Sequence, residues 1–235
     1  LLQTIYGSEI QKGNKYLYSD LGFYLLRNLV ERVSGMDIND YVYGNFYLPL
    51  GATTLGYLPL NRFDVSRIVP SAVDSIFRKA ELRGYVHDPG AAMLGGVAGH
   101  AGLFSNANGL AKFMQMLLWE GNYGGVRYFE PSTIQYFIKA HALDKKNRRG
   151  LGFDKPEPDT TKVSPVCKNI SLESYGHTGF TGTMAWVDPE TESVFIFLSN
   201  RTYPDESNTR LVEHNVRNKI QQVFLDAIQK TKKPE

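Results

Sequence analysis

The last third of the chain changes its hydrophobic period, and that change limits the folds open to it. Residues Thr183 to Val187 and Ser193 to Ser199 alternate apolar and polar side chains around Asp188-Pro189-Glu190-Thr191, a pattern that predicts two antiparallel strands joined by a hairpin turn. A helical period returns from Thr209 to about Lys230, with Val212, Val216, Ile220, Val223, Phe224 and Ile228 expected to face inward. Helices come first, then antiparallel strands, then a closing helix. That order predicts an α+β fold.

The upstream segments supply the helices. Residues 1–17 read as an irregular lead-in, and from Asp20 a helix is expected to run to Gly35, with Asp20 as N-cap and Gly35 as the stop. Phe23, Leu26, Val30 and Val33 mark its apolar stripe, with Leu21, Tyr24, Leu25, Asn28 and Arg32 along another edge. A short helix capped by the Asp37 carboxylate should reach Tyr47. Residues 52–87 read as loops with brief elements, and 90–105 as a glycine-rich segment permitting close backbone approach. Helices are expected again from Gly109 to Glu120, capped by Asn106 or Asn108, and from Pro131 to about Lys139. One domain follows, with a mainly helical lobe over 18–142 and the strands and closing helix over 143–235; the Lys-rich end is expected to fray.

Composition narrows the partners. A chain of 235 residues that is 42% hydrophobic and 21% charged has ample material for a core. Lys+Arg 26 against Asp+Glu 24 is too balanced for nucleic-acid binding, which leaves a small molecule, peptide or glycopeptide as the expected substrate. No apolar run reaches the roughly 18 residues of a membrane span. The lone Cys167 can form no internal disulfide and lacks zinc-site spacing. His87, Asp88, His100 and His177 have no metal-ligand spacing either, so no metal or other cofactor is expected. The glycines lack the lysine and strand-to-helix context of a phosphate cradle.

Two short motifs carry the chemistry. Tyr18-Ser19-Asp20 opens a helix, and His177-Thr178-Gly179 leads into the first predicted strand. Together they resemble two of the three signature motifs of the serine β-lactamase and penicillin-binding-protein superfamily, in its esterase and D-amino-acid-peptidase branch. Val86-His87-Asp88-Pro89, the run Leu94 to Ser105, Gly150-Leu151-Gly152-Phe153, Phe180-Thr181-Gly182-Thr183 and Leu198-Ser199-Asn200-Arg201 extend the resemblance over nearly the whole chain from Tyr18. It is also similar to bacterial proteins in which such a domain follows a family-3 glycoside hydrolase. The third motif, the nucleophile Ser-x-x-Lys, is absent: no serine has a lysine three positions on, and only seventeen residues precede Tyr18. The expectation is therefore a C-terminal portion, with the nucleophile helix and N-terminal strands outside this sequence and this portion inactive alone.

The resemblance implies roles residue by residue. Tyr18 would be the base for the serine, its phenol pulled below the ordinary value near 10 by the missing lysine. Asp20 stands where relatives carry Asn; a carboxylate accepts hydrogen bonds but cannot donate to a substrate carbonyl. His177 replaces the lysine of Lys-Thr-Gly, and a largely neutral imidazole attracts a substrate carboxylate less. Thr178 would offer its hydroxyl, Gly179 would leave room for substrate, and the Phe180 N–H would stabilise the oxyanion. His100 is either a structural hydrogen-bonder or a wall of the cleft. Taken singly, Tyr18 and Asp20 also read as an ordinary helix start, and the tripeptide as a polar turn. The family implies an antiparallel sheet flanked by helices beside a helical lobe, and hydrolysis of an ester or amide through an acyl-enzyme in the periplasm or cell envelope. The rival reading is a non-catalytic module that binds peptidoglycan-like ligands or scaffolds a larger glycoside hydrolase. Apolar surface where strands are missing would favour dimers of the chain alone.

Overall fold

The computed structural model describes residues 2–10, 12–13, 16–141 and 147–232. The expected boundary between residues 142 and 143, and the end of the Lys-rich tail, lie outside the described residues. Contacts separate the chain into two units, one running to Asn106 and taking in Thr202–Glu206, the other formed by Ala107–Arg201 and the residues from Ser207.

In the first unit, a short helix α1 (Leu2–Tyr6) occupies part of the lead-in that had been expected to be irregular. Helix α2 (Leu21–Ser34) stops at Gly35, whose φ of 70° and N–H to Glu31 O make a left-handed C-cap. Its start departs from expectation: the Asp20 carboxylate makes no cap bond. The Ser19 hydroxyl accepts from Leu21 N at 3.2 Å instead. The apolar stripe is also misphased. Tyr24 is the buried residue of α2, while Leu26 and Val33 are 51% and 81% exposed. The inward face is partly polar, with Arg27 bonded to Glu31 at 3.0 Å. Glu31 in turn accepts from Ile38 N at 3.2 Å, so it and not the Asp37 carboxylate receives the first amide of helix α3 (Ile38–Val42). A π-helical turn, Tyr43–Tyr47, continues α3.

The loop stretch that follows contains a hairpin of β1 (Pro70–Asp74) and β2 (Ala80–Arg83). Asp74 organises its tip, accepting from the amides of Ile76, Phe77 and Arg78 and from the Arg78 guanidinium at 2.8 Å. Residues from far along the chain close its flank: Thr202 Oγ1 donates to Ser71 O at 2.6 Å and Tyr203 Oη to Glu81 at 3.0 Å. Helix α4 (Pro89–Met93) opens the glycine-rich segment, which packs directly on α2. A Cβ at Gly99 would lie 2.4 Å from the Phe23 carbonyl, so only glycine permits this approach.

The second unit begins with α5 (Ala107–Leu118), a two-residue ribbon of β3 (Asn122–Tyr123) and β4 (Val126–Arg127), and α6 (Pro131–Ile138), which starts on its proline as expected. The sheet follows: β5 (Tyr175–Thr178), β6 (Met184–Asp188) and β7 (Ser193–Phe197), antiparallel and in that order. Asp188 holds the predicted turn by accepting from Glu190 N at 3.1 Å and Thr191 Oγ1 at 2.8 Å. Cross-strand partners share a face, so Met184 with Phe197 and Trp186 with Phe195 point one way, and Ala185 with Ile196 the other. The first face forms the core with Val166, Ile170 and Phe224. Trp186 is 1% exposed, and its indole N–H is satisfied by Ser174 Oγ at 3.0 Å. Burying a side chain of this size contributes about 2 to 3 kcal/mol.

The closing helix is two pieces, α7 (Arg210–Glu213) and α8 (Val216–Lys232), broken where Asn215 adopts φ 50°. Its inward positions also differ from those expected. Val212, Ile220 and Val223 are exposed, whereas Gln221 and Leu225 are buried. Gln221 is inside because its carbonyl accepts from Cys167 N at 3.0 Å, a requirement that a hydrophobic period cannot register.

Candidate active site

His177, Thr178 and Gly179 lie at the end of β5 and the turn beyond it. Among the described residues, β5 pairs with β6 on one side and meets only an isolated bridge, Asp154 to Gly176, on the other. Thr178 is half-buried and stands opposite Met184. Gly179 is a glycine for a reason internal to the hairpin as well as any room it gives a ligand: a Cβ there would meet Thr183 Oγ1 at 2.2 Å.

The contacts of His177 decide its proton. Arg149 Nη1 lies 3.1 Å from His177 Nε2, and Thr178 O lies 2.7 Å from Nδ1. A guanidinium can only donate and a carbonyl can only accept. These two partners fit the tautomer with the lone pair on Nε2 and the hydrogen on Nδ1. Arg149 brings a cation to this edge, and a search for short motifs misses it because it lies well upstream. Arg149 is held by Asp154 at 2.9 Å, and Arg148 grips the same buried carboxylate at 2.9 Å and Glu157 at 3.5 Å. Two adjacent arginines just before the quoted Gly150-Leu151-Gly152-Phe153 block were the available signal.

Beyond β5, residues 179–182 form a turn closed by Gly182 N to Gly179 O at 3.0 Å. Phe180 is exposed and stands under the Arg201 guanidinium, 4.4 Å from its ring centroid. Arg217, at the start of α8, donates from Nη1 to Gly179 O at 3.2 Å and Thr183 O at 3.0 Å. Burial, and then the charge of Arg201, lower the Arg217 pKa from its ordinary value.

The remaining candidates belong to the first unit. Tyr18 and Asp20 are exposed, immediately before α2. Because Ser19 serves the helix start, the Asp20 carboxylate is not consumed as a cap. The His100 side chain is 5% exposed; its Nε2 lies 2.9 Å from Asp88 Oδ1, and its ring packs on Tyr24 with centroids 4.4 Å apart. Asp88 also caps α4, accepting from Ala91 N at 2.6 Å. Burial alone would raise the Asp88 carboxyl, but the Ala91 amide and His100 outweigh it and hold it below the usual range. Tyr24, absent from the sequence reading of the site, has its phenol pushed up by burial and by Asp88 and Asp20. No group of three or more metal-ligating side chains occurs among the described residues, and no helix among them is long and apolar enough to cross a membrane.

Comparison with known proteins shows the class to which this fold belongs. The chain belongs to the β-lactamase family, a family of serine hydrolases: the model described as Beta-lactamase matches residues 5–216. It is 35% identical over 207 residues to a protein of Escherichia coli K12 provisionally named a D-alanyl-D-alanine carboxypeptidase, covering 83% of this chain and 47% of that protein. A counterpart in Salmonella schwarzengrund bearing the same provisional name is 32% identical, over 86% of this chain and 49% of its own. The chain thus spans about half the length of the curated relatives it matches. Among solved structures, a β-lactamase from Mycobacterium bovis superposes with a TM-score of 0.63 at 19% identity, covering 93% of this chain and 66% of that one. A penicillin-binding protein from Bacillus halodurans gives 0.57 at 15% identity, over 88% and 58%. These likenesses establish the β-lactamase-like α+β fold.

Proposed function

We propose that these residues form the C-terminal part of a serine acyl hydrolase whose attacking serine and adjacent lysine lie in polypeptide outside this sequence. The observation that carries the reading is β5 itself, an outer strand that presents His177-Thr178 and passes directly into the turn that displays Phe180. The absence of any Ser-x-x-Lys among the 235 residues supports the second half of it. In this scheme Tyr18 takes the proton of the serine hydroxyl as its oxygen bonds to the acyl carbon. The Phe180 N–H steadies the oxyanion, the amine or alcohol departs with the proton returned by Tyr18, and a water then adds to the acyl carbon, leaving the carboxylic acid and restoring the serine hydroxyl. Asp20 accepts from the lysine, and Thr178 donates to the substrate. The curated relatives favour an acyl-D-alanyl-D-alanine amide or a related ester, chemistry that belongs to the bacterial cell envelope.

A fluorescent penicillin tests this. The complete natural polypeptide should take up one label per chain on a serine outside these residues, and the 235-residue chain alone should take up none. Stoichiometric acylation within this chain would overturn the reading. A complete polypeptide that binds penicillin reversibly, without a covalent label, would favour the non-catalytic binding module.

A further inference from the structure

The turn that displays Phe180 has all of its carbonyls engaged. Gly179 O accepts from Gly182 N at 3.0 Å and Arg217 Nη1 at 3.2 Å. Phe180 O accepts from Arg201 Nε at 2.8 Å, and Thr181 O from the Arg201 main-chain N–H at 2.9 Å. Gly182 O takes Ser199 Oγ at 2.9 Å. Thr183 O takes Gly179 N at 2.8 Å and Arg217 Nη1 at 3.0 Å. Apart from the turn's own Gly179 and Gly182 amides, the donors come from the residues that follow β7 and from the first turn of α8.

A trans peptide is planar, with its C=O and N–H pointing in opposite directions. Gly179 O and the Phe180 N–H belong to the same peptide, so whatever fixes the carbonyl fixes the amide. Arg217 is the side chain that does this, and with one nitrogen it also holds Thr183 O across the mouth of the hairpin. We infer that Arg217, with Arg201 beside it, is a positioning residue for the oxyanion donor: it locks the Gly179–Phe180 peptide so that the Phe180 N–H faces away from α8, toward the reacting carbonyl. Preorganised donors are effective because they need no reorientation as charge develops. A turn free to rotate would lose that advantage while leaving substrate binding nearly intact. The inference rests on Phe180 being the oxyanion donor.

The test uses the complete natural polypeptide and two variants, Arg217→Met and Arg217→Lys. The methionine variant should lose on the order of tenfold in kcat with KM within about twofold, and an arylboronic acid, whose adduct mimics the oxyanion, should weaken by a similar factor. Arg217→Lys keeps one cationic donor and should recover part of both losses; it also decides the matter if the methionine variant does not fold. Crystal structures should show the Gly179 carbonyl turned in Arg217→Met. Unchanged kcat and boronate affinity, or an unmoved carbonyl, would overturn the inference. If the unaltered polypeptide forms no acyl-enzyme, the hydrolase reading fails on its own, and the carbonyl direction still decides whether Arg217 sets the turn.

Discussion

A proton on His177 is assigned by its neighbours rather than by its motif. The Arg149 guanidinium faces Nε2 and Thr178 O faces Nδ1, which is the pattern of the Nδ1–H tautomer. Removing the guanidinium should release that constraint. In Arg149→Met, the imidazole nitrogens followed by NMR should move from the Nδ1–H form toward the Nε2–H form, and identical spectra in both proteins would count against the assignment. The motif residue was legible in the sequence, but its controller was not, because 28 positions separate Arg149 from His177 and only the folded chain joins them. Caps were misread for a related reason. Asp20 and Ser19 are both competent cap residues, and the choice between them depends on backbone dihedrals that composition does not specify.

Elements were legible where the period and the turn chemistry agree. The β6–β7 hairpin forms at the expected turn because Asp188 is both a strand end and an acceptor for the turn amides. Helix α2 exists as expected but rotated, since its inward face carries Tyr24, Arg27 and Glu31, which a hydrophobicity pattern assigns to solvent. The glycine loop lies directly against this helix. Gly99→Ala would drive a methyl group to 2.4 Å from Phe23 O, and α2 or the loop must then shift. The expected cost is about 2 kcal/mol, read as a lower denaturation midpoint. A substitution without effect on stability would show that the contact yields freely.

For the whole molecule, acid sensitivity follows from two carboxylates. Asp74 is held well below the usual range by the Arg78 guanidinium first and the Phe77 amide next, and Asp88 by the bonds that outweigh its burial. Both folded values lie under the unfolded value of about 3.9. Their stabilisation is therefore present above that pH and is lost as pH falls through the folded values. Melting temperature should drop as pH is lowered below about 4, and Asp88→Asn should start lower at pH 7 and fall less steeply. Parallel curves for the two proteins would exclude Asp88 as a source. Fold and family were legible at this scale because several short blocks occur in the right order along the chain. The division into units was not, because Thr202–Glu206 belongs with residues lying before Asn106. That small return has a consequence for ancestry. The hairpin of β1 and β2 leans on Thr202 and Tyr203, so a gene severed after Asn106 would strip one half of its own brace. Recombination most readily shuffles modules that are continuous in the genome, and the first unit is not one of them.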